Sequence, residues 1–421
     1  MKALRKTIWE NLALVLCVVL SACQGKPAPA VEGSFPVAEW DKATEILMHT
    51  PGKELFNGAI NPLAALFEYY FDVDSAAAEH QNYIDMLEAN GIKVHTVTEI
   101  LQQAPIEELR SYVRNSLKYD IPQADSVKLV KSEAYRLQVI DQMSRNDLIS
   151  CILLQPAVTL TPTDINTGVQ AQYTQMPLFN LYFTRDQSIH TPRGLIISNM
   201  NSSQRFSETE LITFCYRQMG MQPILRITGE GRLEGGDYIP AGTRSFIGCG
   251  MRTNIEGIKQ IMQADAFGHD TIAVVKDRKW WQMQMHLDTY FNIIDRDLCT
   301  LVESRLYATP EDKEWLTVDV YARAGEGAEY ALVEEDCPFV EYLKTNGFEI
   351  IPVKTEDELH YANNFLTVGP RHILAVANQT EALEDAFKQH GVTVEWVPLE
   401  SLIKGYGAAH CMTQVIKRST K

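Results

Sequence analysis

The chain has 421 residues, 45% of them apolar, enough for one large core or a core with a smaller attached unit. A formal charge of −16 at neutral pH argues against a nucleic-acid partner and favours small cationic ligands. Lys2, Arg5 and Lys6 precede an apolar run at 12–20 that is too short to span a bilayer, and L-S-A-C follows at 20–23. That order predicts an export signal over residues 1–22. The lipobox-like place of Cys23 predicts acylation of its thiol, hence a lipid-anchored protein of the bacterial cell envelope. Residues 23–35 hold Pro, Gly and Ala with little to bury and read as a tether, which leaves 36–421 as the folded body.

Within the body one junction recurs. "MLEANGIKV" turns from helix to strand at Asn90-Gly91, "YLKTNGFEIIPV" at Asn346-Gly347 and "AFKQHGVTVEWV" at His390-Gly391, with a looser copy around Gly220. Glycine supplies the left-handed residue that closes each helix before a β-rich run. Repeated helix–Gly–strand units predict an α/β fold; stacked similar units and a doubly wound sheet share this local pattern. Residues from 98 to about 150 differ. Pro105 fits a helix start, and Ile106, Leu109, Val113 and Leu117 mark one helical face. "DSVKLVKSEAYRLQVIDQM" reads as a second helix, so the segment is expected to be an all-helical insertion without strands.

The residues with chemistry are scattered. "LYFTRDQS" places Arg185 and Asp186 after an aromatic run, and "RLEGGDY" sets Glu234 and Asp237 around two glycines. Alone, these fit a surface ion pair and an acidic turn equally well. "WWQMQMHLDTYF" at 280–291 alternates apolar and polar residues, which predicts a strand end with His286 and Asp288 on one face. "GYGAAHCMTQV" at 405–415 presents Cys411 after a run of small residues that reads as flexible. The body cysteines, Cys151, Cys215, Cys249, Cys299, Cys337 and Cys411, form no C-x-x-C pair, so zinc knuckles and dithiol chemistry are poorly supported. A metal site is also a poor fit: His286 and Asp288 lack a third ligand pattern, and adjacent His410 and Cys411 cannot readily share one ion. One thiol, one imidazole and several carboxylates match thiol attack on the electron-poor carbon of a delocalised cation.

"NLYFTRD", "LEGGD", "MHLDT" and "HCMT" occur in the order and approximate spacing of arginine deiminases. "ATEILMHTPGKEL" resembles that family's opening strand and "AAAEHQNYIDMLEANGIKV" its next helix, so the likeness covers 36–418. It implies a five-bladed α/β propeller with a helical insertion at about 98–150, and neither metal nor organic cofactor. It further implies that Cys411 attacks the guanidinium carbon, while His286 protonates departing ammonia and then activates water. Asp186 and Asp288 would hold the guanidinium nitrogens, and Glu234 would orient substrate and His286. Arg205 and Arg252 would clamp the carboxylate of L-arginine, the expected small-molecule partner. Two positions depart from the family: Tyr406 stands where a third arginine is usual, and Gln187 where proline is usual. Other guanidino substrates (peptidyl arginine, agmatine, methylated arginine) and a degenerate cation-binding lipoprotein are the competing readings. A binder has no need of the thiol. Oligomeric state leaves no mark in the sequence.

Overall fold

Three of the helix-to-strand junctions take the form expected of them. The helices Val73–Ala89, Phe339–Thr345 and Glu381–Gln389 each end just before a glycine with φ of 74°, 85° and 69° at Gly91, Gly347 and Gly391. No L-residue with a Cβ adopts that conformation cheaply, so the glycine stops the helix and redirects the chain into a strand. The computed structural model describes residues 35–122 and 126–419. The expected export signal, Cys23 and nearly all of the tether lie outside the described residues. Among those residues, no helix is long and apolar enough to cross a membrane.

β1 (Lys42–Met48) runs parallel to β2 (Lys93–Thr96). Four helices follow: Val97–Gln103, Ile106–Ser116, Ser126–Gln142 and Arg145–Leu154. Leu109 and Val113 are buried, as one face of a helix requires, and Thr96 and Ser144 close capping boxes with Glu99 and Asp147. The segment is not purely helical. β3 (Lys118–Asp120) lies within it and pairs with β4 (Pro156–Pro162), which pairs with β5 (Val169–Gln175). A three-residue strand carries no legible period; it exists because β4 offers an edge.

The remaining strands repeat one unit. β6 (Ser188–Thr191) is antiparallel to β7 (Gly194–Ile197), which is parallel to β8 (Leu225–Arg226). β9 (Tyr238–Ala241), β10 (Arg244–Cys249) and β11 (Thr271–Lys276) do the same. So do β12 (Phe291–Asp295) and β13 (Leu298–Val302) with the later β16 (Glu349–Val353), after β14 (Thr317–Ala322) and β15 (Ala331–Pro338) widen the preceding sheet. β17 (Leu366–Gly369), β18 (His372–Val376) and β19 (Thr393–Val397) form another. The last unit is made from both ends of the chain: β20 (Gln414–Ser419) pairs antiparallel with β1, which already pairs with β2. The fold is therefore α/β, with five short sheets of identical pairing order beside the β3–β4–β5 sheet. The first strand of each unit enters from a turn, and those turns carry the chemistry.

Candidate active site

Asp186 lies in the turn before β6, Glu234 and Asp237 before β9, His286 and Asp288 before β12, and Cys411 before β20. Asp186, Arg205, Arg252, His286, Tyr406 and Cys411 line one narrow pocket. Its free space is about 10 Å³, room for about one water. Glu234 and Asp288, both fully buried, stand behind it.

Two linked clusters make up the site. In the first, His286 Nε2 donates to Glu234 Oε2 at 2.8 Å, and its Nδ1 is 3.7 Å from Asp186 Oδ1. Glu234 Oε1 accepts from the Asn201 amide at 2.9 Å and lies 3.8 Å from Arg252. Arg205 donates to Asp186 Oδ2 at 2.7 Å and to Glu208, which Gln187 also holds at 2.7 Å. Gln187 thus uses its amide, which proline lacks, to fix the carboxylate that grips Arg205. In the second, Cys411 Sγ is 3.5 Å from Asp288 Oδ2, and that oxygen accepts from His410 Nδ1 at 2.7 Å. His410 Nε2 is 3.5 Å from Glu39, which pairs with Arg418.

Burial disfavours charge on every group here, so the shifts show which partners outweigh it. For His286, burial pulls downward, but the Asp186 charge and the Glu234 hydrogen bond raise the imidazole to about 9. Burial pushes Glu234 up, yet the Arg252 charge and the His286 hydrogen bond bring it down to about 2. Asp288 is likewise held low, against burial, by its bond to His410. Cys411 moves the other way: burial, joined by the Asp288 and Asp186 charges, lifts its thiol well above the ordinary range. Its surroundings therefore favour the neutral thiol over the thiolate.

The segment 280–291 departs from the expected strand. Trp280 turns at φ 51°, Gln282–Gln284 forms a short 3₁₀ turn, and Leu287–Tyr290 is a single helical turn with His286 as its cap. The Leu287 amide donates to Asp237 Oδ1 at 2.9 Å, anchoring that turn. His286 and Asp288 consequently part, one toward Glu234 and the other toward His410 and the thiol. The alternation failed as a signal because this segment is buried on several sides. The glycines near Cys411 are close-packed rather than flexible. A Cβ on Gly405 would sit 1.8 Å from the Tyr182 hydroxyl, and one on Gly407 2.6 Å from Phe183. Gly236 allows the His286 ring its place in the same way, with a Cβ there only 2.7 Å from Nδ1.

Glu39, Asn201, Glu208 and Asn364 join the site without having been singled out by a motif, and of these Asn364 touches the thiol. Asn364, in the turn before β17, donates from Nδ2 to Cys411 Sγ at 3.1 Å and to the Asp288 carbonyl at 3.2 Å. Its Oδ1 accepts from the Ala408 and Cys411 amides at 2.9 and 3.1 Å. Its place just ahead of a strand, matching that of the other polar residues, is the signal that identifies it.

Asp186, Glu234 and His286 bring one ligand-type atom each within 4.8 Å of one another. Arg205 and Arg252 already stand against the two carboxylates, so the cluster suits an imidazolium better than a divalent ion. Among the described residues, Asp186 Oδ1 and Asp288 Oδ1 are buried without hydrogen-bond partners, as is His286 Nδ1. Both oxygens are open to the N–H donors of a ligand.

The geometry has relatives. The sequence profile of the family described as Arginine deiminase matches residues 64–418. Arginine deiminase of Halobacterium salinarum is 26% identical, covering 91% of this chain and 96% of its own. The Streptococcus uberis enzyme of the same name is 24% identical over 90% and 97%. Among solved structures, DDAH from Pseudomonas aeruginosa complexed with citrulline superposes with a TM-score of 0.52 at 17% identity, covering 89% of this chain and 99% of that one. That last likeness is one of fold. The profile match runs through nearly the whole described body and includes every turn that contributes to the pocket, and on that ground the chain belongs to the arginine deiminase family.

Proposed function

We propose that this protein hydrolyses L-arginine to L-citrulline and ammonia through a covalent adduct on Cys411. The observation that carries the reading is the pair of buried, unpartnered carboxylate oxygens, Asp186 Oδ1 and Asp288 Oδ1, with the other Asp288 oxygen 3.5 Å from the buried thiol. They suit the N–H groups of a guanidinium, a resonance-stabilised cation that needs to be fixed over its nucleophile. Arrival of the cation favours the thiolate, and the thiol proton is lost to solvent. Sγ bonds to the guanidinium carbon, His286 protonates one nitrogen, and the C–N bond breaks to release ammonia. Water then attacks the same carbon, gives a proton to His286, and the C–S bond breaks to free citrulline and the thiolate. Glu234 and Asp186 keep the imidazole charged for the first proton transfer.

At the amino-acid end, Arg252 keeps Nε unpaired and Arg205 is held by Glu208 and Asp186. Both serve as carboxylate clamps in this reading, with Tyr406 (φ 66°) filling the third place. Two charge-assisted clamps at about 1.5–3 kcal/mol each give at least about a hundredfold preference for arginine over agmatine in kcat/KM. Arg205→Leu is expected to narrow that gap below about tenfold. The test is a citrulline and ammonia assay on arginine, agmatine and a peptide ending in arginine. A wild type that prefers agmatine would overturn the free-arginine assignment, and preference for the peptide would favour a Tyr406 site open to longer substrates.

The five identical sheet units, closed by pairing of β20 with β1, support a five-bladed α/β propeller within the body 36–421, with its insertion at about 98–150. We also infer from the order of basic, apolar and L-S-A-C segments that Cys23 carries lipid and holds the enzyme at the cell envelope. Labelling with a fatty acid should mark wild type and miss Cys23→Ser. Equal labelling of both would remove the anchor.

A further inference from the structure

We propose that Asn364 is a positioning residue for the nucleophile, supplied by the fourth repeated unit at the place where the other units supply their site residues. This rests on the deiminase reading of the same pocket. Asp186 precedes β6 by two residues, His286 and Asp288 precede β12, and Cys411 precedes β20 by three; Asn364 precedes β17 by two. A site built from repeated units has five such turns, and only this one lacked a part in the chemistry. The repeat and the hydrogen bonds are independent observations, and they name the same residue.

The contacts state what it does. Oδ1 takes the amides of Ala408 and Cys411, and the main-chain carbonyl takes the His410 amide at 2.9 Å, so one residue fixes the backbone on which the sulfur is carried. Nδ2 divides its two hydrogens between Cys411 Sγ and the carbonyl of Asp288. The sulfur is therefore tied to the turn bearing one guanidinium-facing carboxylate, and its lone pair is aimed by a fixed donor. A donated N–H favours thiolate over thiol, opposing the burial and the two negative charges around it. Asn364 is fully buried, and it serves the thiol rather than substrate.

Two variants separate these contacts. Asn364→Asp keeps the acceptor for the two amides and removes the donor. Asn364→Ser also removes the donor's reach to sulfur but adds no charge. The readouts are the pH profile of Cys411 alkylation by iodoacetamide, followed by peptide mass mapping, and kcat and KM for arginine. Both variants are expected to move the alkylation midpoint up by about one pH unit, with kcat reduced at least about tenfold. KM should stay within about threefold, because no substrate contact is lost. Alkylation and kcat within about threefold of wild type in both variants would overturn the proposal. A shift confined to the aspartate variant would be a charge effect and would overturn it equally. The alkylation readout needs no turnover, so it stands apart from the deiminase reading: wild type inactive on every guanidino substrate sinks that reading whatever the alkylation shows.

Discussion

Cys411→Ala is expected to lose citrulline formation by about 10⁴-fold or more while still binding arginine. The thiol makes the only covalent bond between enzyme and substrate in the proposed reaction, so nothing replaces it. The binding groups, by contrast, remain in place: Asp186 on Arg205, Glu234 near Arg252 and Asp288 on His410 do not depend on the sulfur. The other described cysteines offer no substitute. Cys215 and Cys299 are buried in apolar surroundings, where burial pushes their thiols up, and neither lines the pocket. Calorimetric titration with arginine and a discontinuous citrulline assay separate the two effects. Turnover close to wild type would mean that the thiol is a core residue and the reaction proceeds by direct water attack.

His286→Ala has the second largest expected effect, a loss of about 10²–10⁴-fold, because one imidazole serves both proton transfers. Its environment fixes the sign of the pH dependence. Burial lowers it, but the Asp186 charge and the Glu234 hydrogen bond raise it from 6.5 to about 9, so the ring is cationic at neutral pH. The proton donor for ammonia release is present below that value and disappears as pH rises through about 9. Stability follows the same linkage. A group whose folded value is raised stabilises the fold fully below its unfolded value, here 6.5, and that contribution fades as pH climbs through about 9. Melting temperature measured from pH 6 to 10 should therefore fall more steeply for wild type than for His286→Ala across that window. Parallel curves would mean that the histidine is neutral in the resting enzyme and that its first role is not that of an acid.

Much of the fold was legible because its signals are local. Gly91, Gly347 and Gly391 announce their junctions through a backbone requirement that one residue type meets. Leu109 and Val113 announce a helix face through spacing. The pairing of β20 with β1 left no trace, since partners such as Ile46 and Val415 lie at opposite ends of the chain. β3 was missed because three residues cannot display a period. The alternation at 280–291 misled for the opposite reason: Gln284, Leu287, Asp288 and Tyr290 are all buried, so polarity there follows the demands of a pocket rather than a water-facing side. Cys411, His286 and the carboxylates stood out by residue type and motif. Asn364 did not, because an amide is common in turns and only its partners, more than 40 residues away, reveal what it holds.

The most direct test of the covalent mechanism is intact-mass and peptide analysis of wild type mixed with arginine and quenched in acid during turnover. The expected result is an adduct equal in mass to arginine minus ammonia, located on Cys411 and absent from Cys411→Ala. Steady citrulline production with no adduct on Cys411 in either wild type or His286→Ala, or an adduct on another residue, would contradict the account.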